Sequence, residues 1–331
     1  MQTLANDLPL LNAWQRDFPL CRNPFAVIGC ALDRPVDDIL SACLQLQQAG
    51  TLSRIGGVFA PGAGGAGMLA AMAVPVDRLD AVAAFVSSHP GVNHNYERDN
   101  PLNLWFVITA VDQPTMEQIL ANIERHTGLN VVRLPMERPY RIDLGFDLAR
   151  STAAAGGMTT SARNPVAQHE AGLAALAEQG LAIVHQPFEV WAKQLGWAES
   201  DVLSVLSRWL AQGTLSRFGM VVRHHEMGFT ANAMTVFNVA DEQVDACGEI
   251  LAQQAGITLA YRRARSEHWP YNLYCMVHGR ERSEVLALIE QAALKANIGH
   301  LQRQVLFSLR RFTQRGPRRF APSALAKDSH A

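Results

Sequence analysis

The chain repeats itself. Residues 24–56 align without a gap on residues 187–219, and 13 of the 33 aligned positions are identical, including all of GTLSR. A weaker similarity follows, in which NYERDNPLNLWF (95–106) aligns, with small gaps, on AYRRARSEHWPYNLYC (260–275). Residues 149–165 between the copies are rich in Ala, Gly, Ser and Thr, a composition typical of a flexible linker. The 331 residues are therefore predicted to form two homologous halves rather than one large domain.

Each half begins with a helical pattern and continues with alternating element types. Apolar residues recur at helical spacing through 35–49 and 198–212, and Gly50 and Gly213 follow as C-cap residues would. A strand-like segment comes next in each half, and helices with a short ribbon indicate a winged helix-turn-helix. The remainder of each half has the order strand, helix, strand, strand, helix, strand, which is that of a ferredoxin-like antiparallel sheet with helices on one face.

The expected fold class is therefore α+β, a tandem duplication of a winged helix-turn-helix followed by a ferredoxin-like (βαββαβ) domain. The predicted boundaries are 1–60 and 61–148 for the two parts of the first half, 149–165 for the linker, 166–225 and 226–315 for the two parts of the second half, and 316–331 for a basic, flexible tail. The sheet elements are predicted at 68–74, 77–88, 92–98, 102–110, 115–127 and 130–141, and again at 231–239, 241–254, 257–265, 271–278, 281–296 and 302–312.

Composition excludes several classes of protein. Lys plus Arg (29) nearly cancel Asp plus Glu (30), so no overall positive field attracts nucleic acid or an anionic membrane. Five cysteines without a CxxC pair argue against a disulfide framework and a cysteine-rich metal centre, and they favour a reducing compartment. No basic start with an apolar run, and no apolar stretch of about 18 residues, is present. We expect a soluble, cytoplasmic protein that does not contact the membrane.

The layout resembles that of the Lrp/AsnC regulators, which implies a DNA-binding transcription factor as one hypothesis. A recognition helix needs Arg, Lys, Asn or Gln on its exposed face to reach phosphates and base edges. The candidate helix 35–49 contains two Asp and no Lys or Arg, and its counterpart 198–212 has Glu199 and Asp201 against the single Arg208. These acidic first turns would repel a phosphate backbone. DNA binding is therefore the less favoured reading.

Polar residues gather on the predicted strands. Strand alternation places Val92, His94, Tyr96 and Arg98 on one face, and Tyr261, Arg263 and Arg265 share the equivalent face, where Leu259 replaces His94. The other candidate positions lie in or near the repeated motifs: Arg54 and Arg217 in GTLSR, His224 and His225 just after the second GTLSR, and Trp105 and Trp269. Guanidinium groups for carboxylates beside aromatic rings suit a flat, polyanionic ligand.

Each candidate residue also has a structural explanation. Arg54 and Arg217 could cap the carbonyls of the preceding helix, and His94 could be a hydrogen-bonded surface histidine. Tyr96 and Tyr261 could be packing residues with a polar tip. In an extended segment, at most one of His224 and His225 faces a site.

At these residues the chain resembles the siroheme decarboxylases, Lrp/AsnC-like enzymes of heme d1 synthesis and of the alternative heme route. GGVFAPGAGGAGMLAAMAVP and VNHNYERDNPLNLWFV resemble one subunit type, and LSRFGMVVRHHEMGFTANAM and HWPYNLYCMVHG resemble the other. The resemblance covers the whole chain and implies a natural fusion of the two subunit types. It also implies loss of CO2 from the acetate side chains on ring carbons 12 and 18 of siroheme, giving 12,18-didecarboxysiroheme.

The resemblance implies roles for the candidate residues. The catalytic set is His94, His225 or its neighbour His224, Tyr96 and Tyr261, with a histidine as the acid. The substrate-binding set is Arg54, Arg98, Arg217, Arg263, Trp105 and Trp269. No cofactor or metal of the protein's own is expected, although His94 or His225 could instead bind the iron of siroheme. The expected partners are siroheme and its product, without DNA, and the halves pair within one chain or the chain forms a homodimer. A heme sensor without turnover is a further alternative.

Overall fold

The computed structural model describes residues 2–142, 164–223 and 231–320, with side chains from residue 7 onward. It contains ten α-helices and eleven strands within those ranges. The helices are α1 (Gln2–Ala13), α2 (Pro24–Leu32), α3 (Val36–Gln48), α4 (Leu79–Ser88), α5 (Gln113–Thr127), α6 (Ala171–Gln179), α7 (Pro187–Leu195), α8 (Glu199–Gln212), α9 (Val244–Ala252) and α10 (Arg282–Lys295). The strands are β1 (Leu52–Phe59), β2 (Ala66–Met72), β3 (Val92–Arg98), β4 (Leu104–Ala110), β5 (Val132–Leu134), β6 (Met136–Ile142), β7 (Leu215–Val222), β8 (Ala231–Phe237), β9 (Ile257–Arg263), β10 (Leu273–Gly279) and β11 (Arg303–Gln314).

The chain divides into two compact units, and each unit takes residues from both halves. One unit holds residues 2–64 and 164–223, which are mainly helical, and the other holds residues 65–142 and 231–320, which form the sheet. The α+β class and the repeated order of elements are confirmed. The predicted linker lies outside the described residues except for residues 164 and 165, as does the tail from residue 321. None of the described helices is long and apolar enough to cross a membrane.

The helical unit repeats a short helix pair followed by one strand. Pro24 and Pro187 occupy the first turns of α2 and α7, where a missing N–H costs no helical hydrogen bond. Gly213 ends α8 in the left-handed conformation, with φ of 75°. The sequence predicted a short ribbon within each half, but β1 and β7 instead pair with each other, antiparallel. Each half therefore contributes a single strand to a two-stranded sheet, because the hydrogen-bonding partner of that strand lies in the other half.

The sheet unit joins the two halves through their last strands. Nine strands pair in the order β5-β2-β4-β3-β11-β8-β10-β9-β6, and all neighbours are antiparallel. The first part of β11 pairs with β8 of its own half, and its second part pairs with β3 of the first half. In the first half, β5 pairs with its own β2 and β6 pairs with β9 of the second half. The halves thus pair within one chain by exchanging strands.

Three hydrophobic clusters surround this sheet. One contains buried residues of β2, β3 and β4 with α4 and α5, and another contains those of β8, β9 and β10 with α9 and α10. The third contains no helix and is built from residues of both halves that lie in strands or in the segment between β9 and β10, including Trp105 and Trp269. The face of the strands that turns away from the helices is therefore buried against the other half.

The predicted position of Val92 on the same strand face as His94 is wrong. A register shift between Val92 and His94 places Val92 in the cluster with α4 and α5. Asn95 also faces α4, because its Nδ2 donates to the Ala83 carbonyl at 3.1 Å and to the Ser87 hydroxyl at 3.0 Å. His94, Tyr96 and Arg98 therefore lie on the opposite face, as predicted, but Val92 does not because the bulge resets the alternation.

The asparagine shared by the PLN and YNL motifs has a structural role. Asn103 Oδ1 accepts from the Val74 N–H and its Nδ2 donates to the Val74 carbonyl, both at 2.9 Å. Asn272 makes the same pair of hydrogen bonds with Val239, at 3.0 and 2.9 Å. This part of the repeated motif therefore holds the segment that follows β2 or β8.

Candidate functional site

The half-buried side chains of His94 and Tyr96 lie next to each other on β3. Their ring centroids are 6.2 Å apart and the planes are nearly parallel, at 18°. The Arg98 guanidinium lies 5.9 Å from the centre of the Tyr96 ring. Period-2 alternation along β3 brings the three side chains to one face. The predicted histidine, tyrosine and arginine row is therefore present, and it faces away from α4.

Arg98 and Arg263 occupy equivalent positions and make equivalent contacts across the halves. Arg98 Nη1 donates to the Leu306 carbonyl of β11 at 2.9 Å, and Arg263 Nη1 donates to the Leu134 carbonyl of β5 at 2.7 Å. Both side chains are buried. Burial lowers the pKa of Arg98 to about 10, so the guanidinium stays charged at neutral pH. Each arginine therefore places a buried positive charge on this face and hydrogen-bonds to a strand of the other half.

In the second half, aromatic rings lie close to Arg263, the equivalent of Arg98. The Arg263 guanidinium lies 4.6 Å from the centre of the Tyr261 ring and 5.6 Å from that of Tyr274. The Tyr274 hydroxyl accepts from Trp269 Nε1 at 2.8 Å. Trp269 meets Trp105 edge to face, with centroids 5.2 Å apart. Six predicted residues (Tyr96, Arg98, Tyr261, Arg263, Trp105 and Trp269) thus belong to one assembly of rings and guanidinium groups.

His278 belongs to the same face, and the sequence reasoning missed it. Its Nδ1 lies 2.9 Å from the Thr258 hydroxyl, in a pair equivalent to Thr109 and Asn93 of the first half. Burial, followed by the charge of Arg98, lowers the pKa of His278 to about 4. The available signal was the alternation of Tyr274, Met276 and His278 along β10, which places all three on one face.

The lowered pKa of His278 predicts acid sensitivity. The unfolded chain binds a proton at His278 near pH 6.5 and the folded chain only near pH 4. Stability from this group is therefore complete above pH 6.5 and decreases as the pH falls to 4, by up to about 3 kcal/mol. We expect His278→Gln to remove this part of the pH dependence when urea unfolding is measured at pH 7 and pH 4.5. An unchanged difference between the two pH values would contradict the assignment.

Arg54 and Arg217 lie in the helical unit. The sequence placed them between a helix and a ribbon, but they lie within β1 and β7. The half-buried Arg54 has Nη2 3.5 Å from the Gly57 carbonyl, and the buried Arg217 donates to the carbonyls of Gln15 and Met220. Their substrate-binding role stays a prediction. His224 and His225 lie outside the described residues.

Within the described residues, neither a metal-binding cluster nor the two buried cysteines, Cys43 and Cys275, provides reactive groups. In residues 2–142, 164–223 and 231–320, no group of three or more His, Cys, Asp or Glu side chains is placed to hold a metal ion. Burial raises the pKa of the Cys43 and Cys275 thiols to about 12, so both are protonated at neutral pH and are poor nucleophiles. The chemistry of the described site therefore rests on imidazole, phenol and guanidinium groups.

The chain is similar to proteins of known activity along almost its whole length. Residues 63–141 and 226–313 match the family described as the AsnC-like ligand binding domain. The siroheme decarboxylase NirDL subunit of Paracoccus pantotrophus is 38% identical, over 94% of this chain and 96% of that protein. The separate siroheme decarboxylase NirL subunit of Stutzerimonas stutzeri is 45% identical, over 44% of this chain and 86% of that subunit.

A solved structure extends this likeness to three dimensions. It is the crystal structure of the siroheme decarboxylase NirDL in complex with an iron-uroporphyrin III analogue, which superposes with a TM-score of 0.67 and is 25% identical, covering 96% of this chain and 95% of that one. The fold, the duplication and the identity to full-length relatives agree. The chain therefore belongs to the siroheme decarboxylase family.

Proposed function

We propose that this chain removes CO2 from the acetate side chains on ring carbons 12 and 18 of siroheme, giving 12,18-didecarboxysiroheme for heme d1 synthesis. The observation that carries this proposal is the match to NirDL subunits over nearly the whole length of both proteins. The row of His94, Tyr96 and Arg98 on β3 also supports the proposal, because it places an imidazole next to a phenol and a guanidinium group. The second half has Leu259 in place of His94. The iron of siroheme belongs to the substrate, and no further cofactor is part of the proposal.

The site face suits a flat ring with many carboxylates. Arg98 and Arg263 place two buried positive charges among the tyrosine rings, and a guanidinium attracts a carboxylate more strongly in such a low-dielectric setting than in water. Under this proposal they hold carboxylates that remain on the product. A substrate-binding role for Arg54 and Arg217, which lie in the helical unit, stays a separate prediction. Trp105 and Trp269 are buried in the cluster that joins the halves and support the walls of the site.

The reaction needs a proton at a defined place. When the bond between the acetate methylene carbon and its carboxylate breaks, CO2 leaves and the electron pair passes into the macrocycle. The methylene carbon then gains a proton and becomes a methyl group. His94 is our choice for the acid, with Tyr96 beside it, because imidazole exchanges protons near neutral pH. The same role is proposed for His225 or His224, and Tyr261 takes the place of Tyr96 in the second half. A dry pocket favours the step, because CO2 is uncharged and the carboxylate is not.

The regulator hypothesis is less well supported by the helical unit. Arg208, the single basic residue of α8, forms an ion pair with the buried Glu170, which also accepts from Trp209 Nε1 at 3.1 Å. The first turns of α3 and α8 are acidic, with Asp37, Asp38, Glu199 and Asp201. A helix of this kind repels phosphates rather than binding them.

Three readouts from one sample separate the hypotheses. We expect the purified chain, incubated anaerobically with siroheme, to yield a product lighter by two molecules of CO2. A sensor would change the absorption spectrum of siroheme and leave its mass intact. A regulator would retard a specific DNA duplex in a salt-dependent manner. Unchanged siroheme under reducing conditions would contradict the proposed activity.

A further inference from the structure

The strand exchange creates two equivalent docking surfaces in one chain. The first docking surface consists of Asp80, Ala83 and Glu97 on α4 and β3, and it receives β11. The second docking surface consists of Asp245, Gly248 and Arg262 on α9 and β9, and it receives β6. Both strands dock in the same register, because Arg310 lies opposite Glu97 where Arg138 lies opposite Arg262. The two surfaces can therefore be compared position by position.

One contact is common to both surfaces. Arg138 binds Asp245 at 2.6 Å, and Arg310 binds Asp80 at 2.8 Å. Each surface thus offers an aspartate to an arginine of the docked strand. This type of ion pair therefore does not discriminate between β6 and β11.

A steric contact distinguishes the two docking surfaces. Tyr140 of β6 is fully buried in the core of the second half, and its hydroxyl donates to Asp245 Oδ1 at 2.5 Å. The ring lies on Gly248, where an added Cβ would stand 2.2 Å from Tyr140 Cε2. The first docking surface has Ala83 at this position, so its methyl group occupies the space that the tyrosine ring needs. β11 instead presents Phe312, which packs only partly buried against the core of the first half.

A charge contact points the same way. Glu137 of β6 binds Arg262 of the second docking surface at 2.7 Å. The equivalent residue of the first docking surface is Glu97, which binds Arg310 at 2.5 Å. If β6 docked on the first surface, Arg138 would take the place of Arg310 opposite Glu97, and Glu137 would lie beside Glu97 without the Arg262 that it binds in the second half. β11 carries the exposed Leu309 in place of Glu137 and needs no such cation.

We propose that these contacts make the halves a matched, non-interchangeable pair: β6 docks on the second half and is rejected by the first half of any copy of this chain. A methyl group in the place of the Tyr140 ring and the loss of the cation that Glu137 binds act together against pairing of two first halves. Each pair then contains one His94 and one Leu259, so the two sides of the assembly are chemically different.

Converting the first docking surface into the second tests the proposal. Ala83→Gly/Glu97→Arg opens space for Tyr140 and gives Glu137 a cation. Two differently tagged copies of the full chain are co-expressed. The amount of each copy that is recovered through the tag of the other is measured, together with the molar mass by light scattering. We expect at least about threefold more mixed assembly than in the wild type, decreasing in high salt. The charge swap Glu124→Arg/Arg133→Glu is the matched control, because that pair lies within the first half, and it should not change the mixing.

The reverse change supplies a second arm. Gly248→Ala places a methyl group against the Tyr140 ring and should lower the melting temperature of the full chain by about 4–8 °C. Gly248→Ala/Tyr140→Leu should recover part of that loss. A folded Ala83→Gly/Glu97→Arg variant that mixes no more than the wild type would overturn the proposal. If that variant does not fold, a Gly248→Ala variant that melts like the wild type, or a loss that Tyr140→Leu does not relieve, overturns it.

Discussion

Replacing His94 with leucine should lower the rate of siroheme decarboxylation by about 10²–10⁴-fold, the range that one general acid contributes. Leucine is what the second half carries at this position, as Leu259, so the fold accepts it on the same strand face. The variant keeps the arginines that we propose bind the substrate and loses the proposed proton donor beside Tyr96. Single-turnover incubation with siroheme, followed by product mass, measures the effect.

A histidine outside the site provides the control for this experiment. His300 is exposed, and His300→Leu should turn over siroheme like the wild type. A His94→Leu rate within about threefold of the wild type would show that His94 is not the acid. The proton would then have to come from another group, with His224 and His225 as the next candidates.

Replacing Arg98 or Arg263 with leucine should lower the free energy of unfolding by about 2–4 kcal/mol each. Each change removes a buried guanidinium and leaves a main-chain carbonyl of the other half, Leu306 or Leu134, without that donor. Because the two contacts are equivalent, the two losses should be similar. Chemical denaturation of the full chain gives both values.

Arg22 is the matched control for the arginine variants. It is 66% exposed and lies 3.8 Å from Glu199, so Arg22→Leu should cost less than about 1 kcal/mol. Costs as small as this for Arg98→Leu and Arg263→Leu would show that neither arginine ties the halves together.

Local patterns were sufficient for the order of elements. The sequence repeat predicted the duplication, and the apolar periodicity predicted the bounds of the elements in the sheet unit to within about three residues. The exchange of last strands was not predictable, because which distant strand pairs with β6 or β11 depends on contacts between residues far apart in sequence. The pairing of β1 with β7 was missed for the same reason.

The candidate site was predicted in part. Alternation placed His94, Tyr96 and Arg98 on one face, and it failed at Val92 because a bulge is invisible in the residue pattern. The main-chain contact of Arg98 with β11 depends on strand exchange and has no local signal. His278 had a signal, the alternation along β10, and it lies within the HWPYNLYCMVHG segment, but it was not predicted as a site residue.

Under the proposed function, one chain with two unlike halves carries out both decarboxylations. The direct test is a time course of siroheme incubated anaerobically with the purified chain and no second protein, with the mass of the tetrapyrrole measured at each point. We expect siroheme to disappear, a species lacking one CO2 to rise and fall, and a species lacking two to accumulate. A tetrapyrrole that keeps its mass, or that loses CO2 only when another protein is added, would contradict the claim.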